Sequence, residues 1–218
     1  MCGAGDPGFA ATVDRSCDVA AAKAEHDWNL PSGILSAVGT VESGRAGPSG
    51  NAPWPWTINA AGRGTFHGTK EEAVATVLAI MTRGYPYIDV GCFQVDLAYH
   101  PGVFRSLDEA FDPDHNAQAA ARILLTQRIG SPDWGTAVAR YHSATPALGN
   151  AYLERVRRAL PGARQRTLEA QSEVPAPTFD ETTAPAGKAK LPVVIYARPY
   201  TGGPAGPQIV HVSAHRER

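Results

Sequence analysis

Residues 31–44 read Pro-Ser-Gly-Ile-Leu-Ser-Ala-Val-Gly-Thr-Val-Glu-Ser-Gly. A proline near the start and a glycine at the end are typical of helix boundaries, and the apolar residues between them recur at helical spacing. Glu42 follows Leu35 by seven positions and Val38 by four, so these three side chains share one face. The pattern therefore predicts a helix over 31–43 that carries a carboxyl group on its apolar side.

The carboxyl group of Glu42 is the first candidate for chemistry. Burial on the apolar face and the negative end of the helix both disfavour the ionised form, so we expect its pKa to rise. A carboxylic acid that stays neutral at about pH 6 can donate a proton to a leaving oxygen. The same spacing also fits a Glu at the rim of the helix that pairs with Arg45 or another cation.

Two later segments carry polar groups that could join this carboxyl. Residues 89–94 read Asp-Val-Gly-Cys-Phe-Gln, in which Gln94 could bind an N-acetyl or hydroxyl group of a sugar, or could be a core amide tied to the backbone. Residues 139–143 read Ala-Arg-Tyr-His-Ser, in which Tyr141 lies on the buried side of its helix and needs a hydrogen-bond partner, often a carboxyl. His142 lies off that side, as a surface histidine does.

The remaining pattern is mainly helical. Further helices are predicted at 12–27, 70–83, 113–129, 132–142 and 150–160, the last ending at Pro161-Gly162. A small β-hairpin is predicted to pair Trp56–Asn59 with Gly64–His67. The predicted fold class is α+β and predominantly α-helical, with an N-terminal extension at 1–12, one compact domain at 13–165 and a tail at 166–218.

The predicted tail differs from the domain in composition. Seven of the 18 prolines lie in the last 48 residues, which contain no Trp and no Cys. A chain with so few large apolar groups cannot offset its ordering entropy, so we expect this low-complexity tail to be mostly disordered. One apolar run, Leu191 to Tyr196, could add a strand to the sheet of a partner or could be a solvated patch.

Composition excludes several classes of function. The net charge of −1 does not fit a general electrostatic binder of nucleic acid. No apolar run approaches the roughly 18 residues that a membrane-spanning helix needs. The three cysteines form no CxxC and the histidines form no HExxH, so we predict neither a metal site nor a cofactor.

Four segments in this order resemble the lytic transglycosylases of the soluble, lysozyme-like kind. They are the helix that ends in Val-Glu-Ser-Gly, then Gly-Cys-Phe-Gln-Val, then Ala-Arg-Tyr-His-Ser, and finally the run Tyr-Leu-Glu-Arg-Val that begins at Tyr152. The resemblance covers about residues 13–160 and implies a lysozyme-like domain. The Asp-Val-Gly-Cys variant and Trp-Pro-Trp-Thr-Ile-Asn at 54–59 resemble a subgroup linked to secretion and flagellar machines.

The resemblance also implies roles for individual residues. Glu42 matches the sole catalytic acid and base of the family, and Tyr141 matches the tyrosine whose hydroxyl contacts that carboxyl. Phe93 stands where the family has Met, and His142 stands where it has Asn. The residues expected to bind substrate are Ser43, Phe93, Gln94, Tyr141, Tyr152 and Trp56. Further aromatic rings that could line a glycan groove are Trp54, Phe66, Tyr85, Tyr87 and Tyr99.

The activity that the resemblance implies is cleavage of the β-1,4 bond between N-acetylmuramic acid and N-acetylglucosamine in peptidoglycan, with formation of a 1,6-anhydro ring. One alternative is a muramidase, which hydrolyses the same bond and needs a second carboxylate. Asp89 and Asp96 are the candidates for that group. Another alternative is a non-catalytic protein that binds peptidoglycan during assembly of an envelope machine.

Such a substrate implies the periplasm, a compartment that permits disulfides. Pairing of Cys17 with Cys92 would fasten the first helix beneath the site, and pairing of Cys2 with Cys17 is the alternative. No leader pattern is visible in the sequence, so we expect a start site placed too late or a mature form, with export through another machine as the alternative. A flagellar or secretion protein is a possible partner of the tail.

Overall fold

The computed structural model of the chain describes residues 7–47 and 50–173. Its helices are α1 (Pro7–Asp27), α2 (Ile34–Ser43), α3 (Lys70–Thr82), α4 (Leu107–Ala110), α5 (Pro113–Arg128), α6 (Trp134–His142) and α7 (Pro146–Glu173). Its strands are β1 (Gly44–Gly47), β2 (Gly50–Pro53), β3 (Thr57–Ala60), β4 (Arg63–Phe66), β5 (Ile88–Val90) and β6 (Val95–Asp96). The predicted α+β class, predominantly helical, is confirmed.

Helix α2 lies in the middle of the helical part, against α1 on one side and α7 on the other. Its residues Leu35, Ala37 and Val38 are fully buried, as the spacing predicts. Small residues on the neighbouring helices let the helix backbones approach each other closely. The buried ones include Ala20, Ala21, Ala24, Ala117, Ala120, Ala121 and Ala163. The main core is therefore built around the helix that ends at Glu42.

The N-terminus of α2 is capped by a side chain from another helix. Gly33, with φ of +80°, precedes the helix and offers no side chain to its first N–H groups. The buried carboxylate of Glu25 in α1 accepts hydrogen bonds from the backbone N–H of Gly33 (2.7 Å), Leu35 (2.8 Å) and Ser36 (3.2 Å). Burial raises the pKa of Glu25 to about 6, even though these hydrogen bonds lower it.

Helix α7 is longer than the sequence predicts. It begins at Pro146, passes through Pro161 and ends at Glu173, so the predicted helix end at 160 and domain boundary at 165 are wrong. Pro161 removes one backbone hydrogen bond and crowds the preceding turn. Burial of small side chains beyond the proline offsets this cost, because Ala163, Thr167 and Ala170 are all fully buried at helical spacing.

An ion pair beyond Pro161 joins three helices. Arg166 Nε donates to Oδ2 of the buried Asp18 in α1 at 2.9 Å, and its Nη2 donates to Thr40 Oγ1 in α2 at 2.6 Å. The hydroxyl of Ser36 donates to the other oxygen of Asp18. The end of α7, predicted as tail, thus fixes the position of α2.

The strands form two antiparallel sheets. The predicted hairpin is confirmed as β3 and β4, and it belongs to a four-stranded sheet in the order β4-β3-β5-β6. The second sheet, β1 with β2, was not predicted, since its Gly-rich sequence lacks alternating apolar residues. The larger sheet packs on α3 and α4 through a second core that contains Ile58, Val77, Ile88, Val90 and Phe111.

A disulfide joins the two parts of the fold. Cys17 of α1 and Cys92 of the segment between β5 and β6 are bonded, with Cα atoms 5.7 Å apart, and this prediction is confirmed. Helix α1 begins at Pro7, five residues before the predicted start. Cys2 and the run 191–196 lie outside the described residues. Within the described part of the chain, the helices include none that is long and apolar enough to cross a membrane.

Substitution of Arg166 by Ala should lower the free energy of unfolding by about 3 kcal/mol, because it leaves the buried carboxylate of Asp18 without its cation. Arg157→Ala, which removes the exposed pair with Glu154 on the same helix, is the matched control and should cost less than about 0.5 kcal/mol. Urea denaturation of both variants measures the difference. Equal losses would mean that the end of α7 contributes nothing specific to the fold.

Candidate active site

The four sequence segments that resemble one family meet at the C-terminal end of α2. Glu42 is the penultimate residue of that helix and is half-buried. Ser43 contacts the backbone of the segment 91–94, Tyr141 of α6 contacts the same segment, and the Tyr152 hydroxyl of α7 faces the carboxyl of Glu42. The site therefore combines side chains from three helices and one sheet.

The pKa of Glu42 is raised to about 7. Burial is the largest cause, because the surroundings solvate a carboxylate less well than water does. Hydrogen bonding to Tyr152 lowers this pKa, the negative charge of Asp89 raises it, and the positive charge of Arg155 lowers it. The predicted rise is thus confirmed, with burial and a second carboxylate as its causes.

Tyr152 is a positioning residue and not the substrate contact that the resemblance implies. Its ring is fully buried, and His142 stacks flat on it at 4.6 Å between ring centres. The buried hydroxyl faces the Glu42 carboxyl and forms no hydrogen bond with any other described residue. Burial and the Glu42 charge raise the pKa of Tyr152 well above 10, so the hydroxyl remains a proton-bearing donor.

Tyr141 does not make the contact predicted for it. Its hydroxyl donates to the backbone carbonyl of Phe93 at 2.8 Å and not to Glu42. Burial raises the pKa of Tyr141, and the nearby charge of Glu42 raises it further. Phe93 precedes β6, so its carbonyl lies outside the strand ladder and needs this donor. Tyr152, and not Tyr141, is therefore the tyrosine whose hydroxyl faces the Glu42 carboxyl.

Two further predicted substrate contacts are buried in the structure. Ser43 is 1% exposed, donates to the carbonyl of Cys92 at 2.6 Å and accepts from the N–H of Trp54 at 3.2 Å. Phe93 is fully buried, with its ring packed against Gly39 of α2. A sugar cannot reach either side chain, so their predicted role in binding substrate is wrong and both hold the walls of the site.

Gln94 is tied to the backbone, the alternative that the sequence left open. Its Nε2 donates to the carbonyls of Gly91 at 2.9 Å and Thr57 at 3.1 Å. These bonds hold a residue whose φ of +49° is unusual for a side chain of this type. Since both amide hydrogens are engaged, Oε1 is the atom with which Gln94 could accept a hydrogen bond from a ligand.

Asn116 of α5 is a positioning residue that the sequence did not reveal. Its fully buried amide donates to the carbonyls of Val90 (3.0 Å) and Ala110 (2.9 Å) and accepts from the N–H of Phe93 (2.9 Å). Gly91 has a φ of +81°, and a Cβ there would lie 2.5 Å from Asn116 Nδ2. The absence of a Cβ at Gly91 therefore makes room for this amide.

A row of polar side chains crosses the larger sheet. Asn59 of β3, Asp89 of β5 and Asp96 of β6 are direct neighbours in the strand register and so share one face. Burial and the charge of Asp96 raise the pKa of Asp89 to about 6. Asp96 accepts from the N–H groups of residues 98 and 99, while Asn59 Oδ1 is buried without a partner in the described chain.

The aromatic residues divide into two groups. Trp54 and Trp56 contact edge to face at 5.5 Å, and the guanidinium of Arg45 lies 4.4 Å from the ring centre of Trp54. Arg45 therefore stacks on an indole, and the alternative ion pair with Glu42 is not formed. Trp56 also packs on the second core, and its predicted contact with substrate stays a prediction. The exposed rings are Phe66, Tyr85, Tyr87 and Tyr99.

Comparisons with protein-family models, with curated proteins and with solved structures found no match for this chain. Among the described residues, no group of three or more His, Cys, Asp or Glu side chains could hold a metal ion.

The raised pKa of Glu42 predicts a pH-dependent stability. The carboxyl ionises near 4.5 in the unfolded chain and at about 7 in the folded one, so the native state loses stability as pH rises between these values. Glu42→Gln removes this loss. Its Tm should exceed that of the wild type by at least about 3 °C at pH 8 and by about a quarter of that difference at pH 5.

Thermal denaturation followed by circular dichroism at both pH values measures this difference. Glu71→Gln, at an exposed position of α3, is the control and should leave Tm unchanged at either pH. If the difference between Glu42→Gln and wild type is the same at pH 5 and pH 8, the carboxyl does not titrate with a raised pKa.

Proposed function

We propose that the chain is a peptidoglycan lytic transglycosylase with a lysozyme-like catalytic domain. The observation that carries the proposal is the Glu42 carboxyl, whose pKa of about 7 leaves it protonated in a large fraction of molecules near neutral pH. The meeting of all four family-like segments around that carboxyl supports it. The bond to be cleaved joins N-acetylmuramic acid to N-acetylglucosamine.

In the first step, Glu42 donates its proton to the oxygen of the glycosidic bond as the bond between that oxygen and C1 breaks. A neutral carboxylic acid near neutral pH is suited to this, since an ordinary Glu would be almost wholly ionised. The N-acetyl group of the same sugar can stabilise the positive charge that develops at C1. The Tyr152 hydroxyl lies where it can donate to the carboxylate that the transfer leaves behind.

In the second step, the Glu42 carboxylate removes the proton of the C6 hydroxyl, and O6 forms a bond to C1. The proton that Glu42 gave is thereby restored, a 1,6-anhydro ring closes and no water is consumed. Positioning of the C6 hydroxyl takes the place of the second carboxylate that ordinary glycosidases need. The ties of Ser43 and Tyr141 to the segment 91–94 would keep the carboxyl and the sheet in register during both steps.

The proposal places the chain in the periplasm, where it would open the cell wall for an envelope-spanning machine such as a flagellum or a secretion system. The disulfide between Cys17 and Cys92 supports an oxidising compartment. Contact between a machine component and the tail would involve residues outside the described part of the chain.

Mass spectrometry of digested sacculi tests the activity. Wild-type protein should release anhydromuropeptides, which are one water lighter than hydrolysis products. Glu42→Gln should slow their release by at least about 100-fold, because the amide cannot supply the proton. Glu71→Gln should cleave at the wild-type rate. Full lysis by Glu42→Gln would contradict the assignment, and an inert wild type that still binds sacculi would favour the non-catalytic assembly role.

Hydrolysis of the same bond is the second candidate, and one observation favours it. Asp89 lies close enough to Glu42 to raise its pKa, and no hydrogen bond restrains its carboxylate among the described residues. Such a group could position a water molecule for attack on C1. Asp96 is less suited to that task, because two backbone N–H groups already occupy its Oδ1.

Asp89→Asn separates the two candidates. For a lytic transglycosylase, the variant should keep the anhydro product and shift the alkaline limb of its pH–rate profile to lower pH, because loss of the neighbouring charge lowers the pKa of Glu42. For a hydrolase, it should lose about 100-fold or more in rate. A profile that does not move, with the anhydro product retained, would exclude both roles for Asp89.

A further inference from the structure

An open cavity of about 410 Å³ adjoins the site at the end of α2. Its lining comes from α2, β2 and α7, and the residues are Thr40, Val41, Asn51, Arg155, Arg158 and Ala159. Val41 directly precedes Glu42, so the cavity lies beside the end of the helix that carries the candidate acid. The cavity is large enough for a sugar substituent or a short peptide segment.

The cavity is positively charged. Arg155 and Arg158 are exposed, and neither forms an ion pair in the described part of the chain. None of the lining residues is acidic. The neighbouring acid on α7, Glu154, is engaged by Arg157 at 2.6 Å. Two guanidinium groups that form no ion pair in the described part of the chain therefore line the same space.

The two arginines follow Tyr152 along α7, and the Tyr152 hydroxyl faces the Glu42 carboxyl. Arg155 follows Tyr152 by three positions, and Arg158 follows Arg155 by three, so each of these pairs consists of neighbours on the helix surface. With a rise of about 1.5 Å per residue, Arg158 is about 9 Å along the helix from Tyr152. The guanidinium of Arg155 lies 5.4 Å from the Tyr152 ring centre and its charge acts on Glu42, so this cavity residue is close to the candidate acid.

We propose that this cavity is a carboxylate-binding subsite, in which Arg158 and Arg155 hold an acidic group of the strand whose glycosidic bond lies at Glu42. The inference rests on the proposed function and adds a determinant of substrate selection to it. A guanidinium presents paired N–H donors that match the two oxygens of a carboxylate. The exposed amide of Asn51 can add a donor from the opposite wall.

The polymer itself supplies such a group beside the bond to be cleaved. Each muramic acid carries a lactyl substituent, which is a free carboxylate where the stem peptide has been removed and an amide where it is present. Stem peptides carry carboxylates of their own further out. Both sources present the same chemistry to the cavity, and an offset of about 9 Å along the helix between Tyr152 and Arg158 is within reach of a sugar substituent. The subsite would thus favour muramic acid over an uncharged sugar.

Binding and turnover of Arg158→Ala in the full-length chain test the subsite. The substrates are glycan strands that bear stem peptides and the same strands after amidase treatment, which retain the lactyl carboxylate. Binding is measured by calorimetry in Glu42→Gln, which cannot turn over if the proposed function holds. Turnover is measured as anhydro product in the chain with Glu42 intact. We expect Arg158→Ala to raise Kd and KM about tenfold, with kcat changed less than about twofold.

Two variants control for other effects. Arg158→Lys keeps the charge and should recover part of the affinity, which a merely structural role of the arginine would not explain. Arg157→Ala removes an arginine of similar exposure on the same helix and should bind as the unsubstituted protein does. Equal melting temperatures of the variants show that the fold is unchanged.

The outcomes separate the sources of the carboxylate. Weaker binding of amidase-treated strands alone assigns the lactyl carboxylate to the cavity, and weaker binding of peptide-bearing strands alone assigns a stem-peptide carboxylate. Weaker binding of both means that the cavity takes a carboxylate from either source. Unchanged binding of both overturns the subsite. If the wild type makes no anhydro product but Arg158→Ala still weakens binding, the proposed function falls and the subsite stands. If strands do not bind at all, both fall.

Discussion

The buried carboxylate of Glu25 is the interaction on which the candidate site depends. Helix α2 has no cap of its own, because Gly33 offers no side chain, and its first N–H groups would be unsatisfied in the core without Glu25. Taking that carboxylate out of water is costly, which its raised pKa reflects. Three backbone hydrogen bonds offset the cost and fix both the start and the axis of α2, so the position of Glu42, nine residues after Gly33, is set by α1.

Much of the fold follows from helical periodicity and helix boundaries. The pattern of Leu35 and Val38 located α2, and the Thr and Glu at the start of 70–83 located α3, where Thr69 accepts from the N–H of Glu72. The end of α7 could not be predicted in this way. Pro161 is locally a helix breaker, and only burial of Ala163 and Ala170 against a helix far away in sequence makes continuation favourable.

The sequence predicted the centre of the site better than its surroundings. Spacing placed Glu42 on the buried face, and burial does raise its pKa. Spacing cannot say which of two inward tyrosines reaches the carboxyl, since that depends on how α6 and α7 cross. The role of Asn116 could not be predicted either, because its amide hydrogen-bonds backbone groups of a segment 23 residues away. A single Asn within a helix has no local sequence pattern that would indicate such a role.

The disulfide makes the geometry of the site depend on the redox conditions around the chain. Cys92 is flanked by Gly91, whose backbone admits Asn116, and by Phe93, whose carbonyl holds Tyr141. A chain in a reducing compartment lacks the covalent link from this segment to α1 and must hold it by packing and hydrogen bonds alone. The Cys17–Cys92 bond therefore couples the arrangement of this segment to the redox state of its surroundings.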